Sequence, residues 1–125
     1  SAVVHDFVDE IGAFWGACDV AVSRAGANSV AEARVNMVPT VFLPYPYHAD
    51  EHQRRNAMPL ANTGRAVVVT DRIETEATAP ELLDALHTLM RDSGARLAMR
   101  ARLEAAPPPD AAAAVAQLVQ NALGC

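Results

Sequence analysis

Short apolar segments alternate with helical patterns along the first part of the chain, and this alternation limits the folds that it can adopt. The apolar segments are continuous and rich in valine, which is typical of strands buried on both faces. Successive strands separated by helices need crossover connections, and these make the strands parallel. The sequence therefore predicts an α/β fold with a parallel sheet of about four strands and flanking helices. We place the strands near residues 3–4, 20–23, 40–43 and 66–69, and the helices over residues 8–16, 28–36 and 50–62.

The rest of the chain predicts a helical ending. Residues 70–78 are polar and acidic, as expected for a surface loop, and helices follow over residues 80–92, 95–105 and 110–123. Pro80 suits the first turn of a helix, because proline lacks the N–H that a first turn leaves unpaired. Two of these helices carry an apolar stripe at helical spacing, which predicts a face directed to the core. The stripes are Leu82, Leu83, Leu86, Leu89 and Met90 in the first helix, and Val115, Leu118, Val119, Ala122 and Leu123 in the last.

Composition excludes several classes of protein. A chain of 125 residues with 51% hydrophobic content forms one domain with a modest core. The net charge is −5 and the 10 basic residues are scattered arginines, so no basic patch for nucleic acid is expected. No apolar run reaches the ~18 residues that would span a bilayer. Cys18 and Cys125 lie far apart in the sequence, which argues against a disulfide framework and favours a reducing cytoplasm.

The first motif that carries chemistry is a turn of small residues, Arg-Ala-Gly-Ala-Asn-Ser at residues 24–29, which follows the predicted strand at residues 20–23. Such a turn lets backbone N–H groups approach a phosphate, and the helix start adds a partial positive charge. Ser29 and Glu32 also have the spacing of a capping box, which needs no ligand. Alternatively, Glu32 holds ribose hydroxyls while the backbone amides of residues 26–29 face a diphosphate. Both interpretations are open on the residues alone.

The second motif follows the next strand and contains His-Ala-Asp-Glu-His at residues 48–52. This pattern matches that of inverted zincins, which hold zinc with two histidines on one helix. Pro46 and a helix start at Asp50 would leave the first histidine off the helix, so we do not predict a metal site. Asp50, Gln53 and Asn56 recur on one side of that helix and can converge on one polar object. Because ligands bind at the carboxyl ends of parallel strands, the two motifs together predict a nucleotide-sugar site.

Taken in order, these residues resemble the C-terminal domain of MurG-like family 28 glycosyltransferases, which have the GT-B fold. The resemblance covers essentially the whole chain and is densest from Phe7 to Gly64. It implies a Rossmann-like domain that binds the donor UDP-N-acetylglucosamine. The segments that carry the resemblance are residues 7–10, 18–27, 30–32, 38–39 and 50–57.

The resemblance also implies a role for each matching residue. In the family, transfer is inverting and adds N-acetylglucosamine to the lipid-linked muramyl-peptide precursor of peptidoglycan, without a metal or another cofactor. We expect no catalytic residue in this chain, because the general base belongs to another domain. The uracil pocket would be lined by Phe7, Val8 and Ile11. The diphosphate would be approached by Gly26, Ala27, Asn28 and Ser29, and the ribose would be held by Glu32. The sugar hydroxyls would contact His52, Gln53 and Asn56.

The resemblance further implies that residues 1–125 are a single partial domain, lacking the acceptor-binding N-terminal domain and the opening strand with its glycine-rich loop. We therefore expect little or no transferase activity from this chain alone. The full-length protein would be cytoplasmic, peripheral at the inner face of the plasma membrane, and would contact the membrane through the absent part. An apolar surface exposed by truncation would produce dimers.

Two alternative functions stay open. One is the donor-binding domain of a family 28 relative that uses another lipid or polysaccharide acceptor. The other is a non-catalytic donor-binding subunit that works only with a partner chain. The sequence of this chain does not separate them, because the acceptor site would lie outside it.

Overall fold

The structure is a computed structural model, which describes residues 1–47 and 49–124. At the centre of this described part lies a three-stranded parallel sheet. The strands are β1 (Ala21–Ser23), β2 (Thr40–Phe42) and β3 (Val67–Val68), in the order β1-β2-β3. Val41 of β2 lies opposite Val22 of β1 and Val67 of β3. The predicted α/β class and the parallel arrangement are confirmed.

The predicted first strand, at residues 3–4, is wrong. Val3 and Val4 are 79% and 88% exposed, and neither pairs with a strand among the described residues. A strand is stable only when a neighbour accepts and donates its backbone hydrogen bonds, and an apolar dipeptide does not supply that neighbour. Within the described part of the chain the sheet therefore has three strands, where about four were expected.

The helices follow the predicted order, with shifted ends. The fourth begins five residues earlier than predicted, so the expected loop at residues 70–78 ends at Glu74 and Pro80 lies inside the helix. Thr78 is buried there, and its Oγ1 accepts a hydrogen bond from the Arg72 N–H at 2.9 Å, which ties this first turn to the preceding chain. The helices are α1 (Ile11–Gly16), α2 (Ala27–Val35), α3 (His52–Ala61), α4 (Thr75–Arg91), α5 (Ser93–Glu104) and α6 (Ala111–Leu123).

The core consists of two apolar clusters, and the central strand β2 contributes to both. Val41 and Phe42 are fully buried and belong to different clusters, since successive side chains of a strand point to opposite faces of the sheet. The Val41 cluster also contains Val69, Leu89 and Met99. The Phe42 cluster contains Trp15, Ala25, Ala33, Val38, Ala57, Leu60, Ala66 and Leu103.

The apolar stripe of α4 is only partly directed to the core, and that of α6 is not. In α4, Leu89 is buried while Leu83 and Met90 are exposed. Every described residue of α6 is exposed, Leu118 at 68% among them, so the predicted core-facing stripe on α6 is wrong. Spacing shows that a helix has an apolar face but does not show what covers it. None of the described helices has the length and hydropathy needed to cross a membrane.

Candidate functional site

The two motifs meet at the carboxyl edge of the sheet, where β1 and β2 end side by side. The turn after β1 leads into α2, and the loop after β2 leads into α3. Gln53 of α3 joins them, because its Oε1 accepts hydrogen bonds from the backbone N–H groups of Ala25 (3.2 Å) and Tyr45 (2.9 Å). One side chain therefore fixes both loops.

Asn56 completes the attachment of the first turn. Its Nδ2 donates to the carbonyl oxygen of Ala25 at 3.1 Å. Ala25 is fully buried, so its two backbone polar groups rely on side chains of α3. Gln53 Nε2 and Asn56 Oδ1 make no hydrogen bond within the described residues and remain able to meet a ligand. Sugar contacts by Gln53 and Asn56 stay a prediction, but both residues also shape the turn.

The start of α2 carries unpaired backbone donors. Gly26 precedes the helix with φ −61° and ψ 152°, and no side chain caps it. The first bond that the helix makes runs from Val30 N to Gly26 O, so the N–H groups of Ala27, Asn28 and Ser29 have no acceptor among the described residues. These groups and the helix dipole give this end a partial positive charge.

The space over Gly26 is open. A Cβ added there would meet no atom of the described residues within 4 Å, apart from its chain neighbours, and the backbone angles are ones that any residue adopts. Neither packing nor backbone conformation requires glycine at this position. What the missing side chain provides is close access to the start of α2, which a phosphate needs.

The capping-box interpretation of Ser29 and Glu32 is wrong. Because the helix starts at Ala27, Ser29 is its third residue and no longer precedes it. Glu32 instead accepts a hydrogen bond from Trp15, whose indole Nε1 lies 3.0 Å from Glu32 Oε2. Trp15 is buried and Glu32 is half-buried. Asn28 and Glu32 lie four residues apart on one face of α2, so the carboxylate and the open helix start address the same region.

The residues predicted to line a base pocket lie before and at the start of α1. Phe7 and Ile11 are 78% and 43% exposed, and Val8 is half-buried. They present an open apolar surface and are not enclosed in a cavity. Their contact with uracil stays a prediction.

The start of α3 differs from the prediction. The residue before the helix is Glu51, in a left-handed conformation with φ 49°, so Asp50 does not share a helical face with Gln53 and Asn56. Asp50 Oδ1 instead lies 3.1 Å from the Nδ1 of the exposed His52. The hydrogen bond from His52 holds the pKa of Asp50 below its usual value. His48, the first histidine of the zincin-like pattern, lies outside the described residues, and the described ones contain no group of three metal-ligating side chains.

Sequence reasoning missed one contact that joins the ends of all three strands. Arg24, after β1, donates through Nη1 to the carbonyl oxygen of Leu43 (3.1 Å) and to Asp71 Oδ2 (2.7 Å). Leu43 follows β2 and Asp71 lies beyond β3. The Arg24 guanidinium also lies 5.7 Å from the ring centroid of Tyr45. The hydrogen bond from Arg24 lowers the pKa of Asp71. Arg24 belongs to the small-residue motif, but its acidic partner is 47 residues away and no local signal points to it.

A cavity of about 220 Å³ lies at the same edge, between the ends of β2 and β3. It is beside the predicted residues and does not include them. Its lining is mixed in charge, with an arginine and two carboxylates, and consists of Pro44, Tyr45, Pro46, Glu51, Arg54, Val69, Thr70 and Asp71.

Comparison with known proteins agrees with this geometry. Residues 1–115 match the model of the glycosyltransferase family 28 C-terminal domain. A UDP-N-acetylglucosamine--N-acetylmuramyl-(pentapeptide) pyrophosphoryl-undecaprenol N-acetylglucosamine transferase from Chlorobaculum tepidum is 39% identical over 119 residues, which are 93% of this chain and 31% of that protein. The protein of the same name from Desulforudis audaxviator is 34% identical over 122 residues, covering 98% of this chain and 32% of its own length.

The crystal structure of Acinetobacter baumannii MurG superposes on this chain with a TM-score of 0.80 and 28% sequence identity. The match covers 95% of this chain and 35% of that one. The chain thus spans about a third of the length of the relatives it matches. Sequence and fold agree over nearly the whole chain, which therefore belongs to the family of glycosyltransferase family 28 C-terminal domains.

Proposed function

We propose that this chain binds UDP-N-acetylglucosamine as the donor half of a transferase that adds N-acetylglucosamine to the lipid-linked muramyl-peptide precursor of peptidoglycan. The relatives from Chlorobaculum tepidum and Desulforudis audaxviator carry the name of this activity. The observation that carries the proposal is the open start of α2, which lies at the carboxyl edge of the sheet and shares a helix with Glu32.

The diphosphate lies against the start of α2 in this proposal. The N–H groups of Ala27, Asn28 and Ser29 donate to phosphate oxygens, and Gly26 lets the phosphate approach. The helix dipole alone is worth about 0.3–1 kcal/mol for an exposed anion, so direct N–H bonds to the charged oxygens supply most of the attraction.

The ends of the donor meet side chains on either side of this helix start. Glu32 accepts hydrogen bonds from the ribose hydroxyls, and the uracil ring packs on the exposed apolar surface before and within α1. The sugar lies toward α3. The residues assigned to uracil are Phe7, Val8 and Ile11, and those assigned to the sugar hydroxyls are His52, Gln53 and Asn56.

In the proposed reaction an acceptor hydroxyl attacks the anomeric carbon, the bond to the diphosphate breaks, and UDP leaves with inversion. Negative charge develops on the leaving diphosphate, and the preorganised backbone N–H groups at the start of α2 stabilise this charge. No metal is required for that role. The general base, the acceptor and the membrane contact at the inner face of the plasma membrane belong to the N-terminal domain of the full-length transferase.

Calorimetric titration of this chain with UDP-N-acetylglucosamine, UDP-glucose and UDP tests the proposal. We expect saturable binding with a preference for the N-acetylglucosamine donor, and loss of binding in Glu32→Ala. Glu76→Ala, an exposed glutamate in the first turn of α4, is the matched control and leaves binding unchanged. Failure of all three ligands to bind, or equal binding by Glu32→Ala, would contradict the assignment.

A further inference from the structure

The single tryptophan of the chain lies directly behind the candidate site. Trp15 is 5% exposed and belongs to the Phe42 cluster of the core. Its indole N–H leaves this cluster toward α2 and donates to Glu32 Oε2 at 3.0 Å. A core side chain and a site carboxylate are therefore joined by one hydrogen bond.

This hydrogen bond divides the two oxygens of Glu32. A buried indole N–H needs an acceptor, and Oε2 supplies it. Oε1 has no hydrogen-bond partner among the described residues, and the side chain is half-buried. Ordering a free glutamate side chain costs conformational entropy, and here the hydrogen bond from the indole orders Glu32 before a ligand binds.

The position of Glu32 on α2 limits what its free oxygen can reach. Glu32 lies four residues beyond Asn28, about 6 Å along the helix axis, and helical side chains lean back toward the helix start. A group recognised by Oε1 is therefore attached close to an anion bound at the start of α2. In a nucleoside diphosphate that group is the ribose, whose vicinal hydroxyls are hydrogen-bond donors.

We propose that Trp15 is a positioning residue for ribose recognition, which holds Glu32 so that Oε1 faces the vicinal hydroxyl pair. This inference rests on the proposed function, and it makes the Trp15–Glu32 hydrogen bond the reason why the site would select ribonucleotides over deoxyribonucleotides. A rigid acceptor rejects an analogue that lacks the hydroxyl, whereas a mobile one turns to water. Removing the indole N–H should therefore weaken binding of the ribonucleotide and leave binding of the deoxy analogues nearly unchanged. The ratio of their dissociation constants falls as a result.

The test compares the dissociation constants of UDP, 2′-deoxy-UDP and 3′-deoxy-UDP for the unchanged chain, Trp15→Phe and Leu60→Val. Trp15→Phe keeps an aromatic ring and removes the N–H. Leu60→Val perturbs the same core cluster and leaves the indole N–H in place. A hydrogen bond to a charged group predicts that the unchanged chain prefers UDP over the better deoxy analogue by about tenfold or more. We expect Trp15→Phe to reduce this ratio to about two- to threefold, and Leu60→Val to preserve it.

A second measurement needs no variant. The chain has one tryptophan, so its indole N–H gives one cross-peak in a ¹H–¹⁵N spectrum. We expect saturating UDP to shift this peak, because a ligand on Oε1 changes the electron density at Oε2. The deoxy analogues should shift it less.

The outcomes separate the two proposals. If UDP binds but the ratio is the same in Trp15→Phe as in Leu60→Val, Trp15 only packs the core and the inference is overturned while the proposed function stands. An indole peak that stays in place at saturation overturns it equally, even if Trp15→Phe does not fold. If UDP does not bind the unchanged chain, the proposed function fails and the inference fails with it.

Discussion

The turn after β1 and the helix α6 are both built largely from small residues, yet different forces hold them. The turn is fixed by side chains from distant parts of the chain, because Gln53 and Asn56 satisfy the backbone of Ala25. In α6 the described hydrogen bonds are local, with Asp110 Oδ1 accepting from Ala113 N at 2.9 Å, and its described residues are all exposed. The described hydrogen bonds of α6 thus come from its own segment, whereas the shape of the turn after β1 depends on side chains of α3.

The largest expected effect comes from Gln53→Ala, which removes the acceptor of two backbone N–H groups. Ala25 N is left buried without a partner, which costs about 1–3 kcal/mol, and the link to Tyr45 is lost as well. We expect urea denaturation to show a loss of about 2–4 kcal/mol of unfolding free energy. The control is Gln120→Ala on α6, which should stay within about 0.5 kcal/mol. Equal effects at the two positions would show that the turn is held as locally as α6.

Gly26→Ala should weaken UDP binding without weakening the fold. Apart from its chain neighbours, the added methyl group meets no described residue within 4 Å, but in the proposed function it would stand where the diphosphate approaches α2. Loss of one charge-assisted hydrogen bond predicts a dissociation constant raised about tenfold or more, measured by calorimetry. Gly16→Ala, also without a neighbour within 4 Å, is the matched control and should leave affinity unchanged. If Gly26→Ala binds UDP as tightly as the unchanged chain, the proposed placement of the diphosphate at this turn is contradicted.

The Arg24–Asp71 pair should make stability depend on acid pH. Since the pKa of Asp71 is lowered in the folded state, its stabilisation is present above the unfolded value near 3.8 and is lost as pH falls through the folded value. Asp71→Asn should lower the unfolding free energy by about 1 kcal/mol at pH 6, and by less in acid that protonates the carboxylate of the folded chain. Thermal unfolding at pH 6 and at a pH well below 3.8 measures this difference. Asp84→Asn, on exposed α4 surface, should show no such difference; a pH-independent loss in Asp71→Asn would contradict the role of the charge.

The smallest effect is expected from Asp110→Ala, which removes the N-terminal cap of α6. Such a cap is worth about 1 kcal/mol to its helix. Because the described residues of α6 bury nothing, we expect faster amide exchange in residues 111–114 and an unchanged global denaturation midpoint. A shift in the global denaturation midpoint would mean that α6 unfolds together with the core. The turn after β1 and α6 would then both depend on distant parts of the chain.

The sequence predicted the fold wherever local pattern and tertiary environment agree. The valine-rich segments that became β1, β2 and β3 were found, since buried parallel strands have a distinctive composition. The dipeptide Val3 and Val4 has the same composition but no partner strand, and a single sequence does not reveal partners. The start of α4 was missed because Pro80 was placed in the first turn, whereas the helix begins at Thr75 and contains Pro80.

The candidate site divides in the same way. Spacing alone identified Gln53 and Asn56, but not that they bind the backbone of Ala25. Glu32 was identified as either a capping or a ribose-binding residue; the capping role is wrong, the ribose contact stays a prediction, and the hydrogen bond from Trp15, 17 positions earlier, was not foreseen. The bond between Arg24 and Asp71 spans 47 positions. Contacts over such distances arise from the order of the strands, which the sequence gives only coarsely.

The two backbone hydrogen bonds of Gln53 have a consequence for which positions at this edge tolerate substitution. Gln53 holds the loops in place, while its neighbour His52 has a side chain that is 47% exposed at the same edge. Replacing His52 therefore changes an exposed side chain at this edge without removing an acceptor from the backbone beneath it. Two adjacent positions thus differ in what a substitution disturbs: position 52 alters the surface, and position 53 alters the shape of both loops.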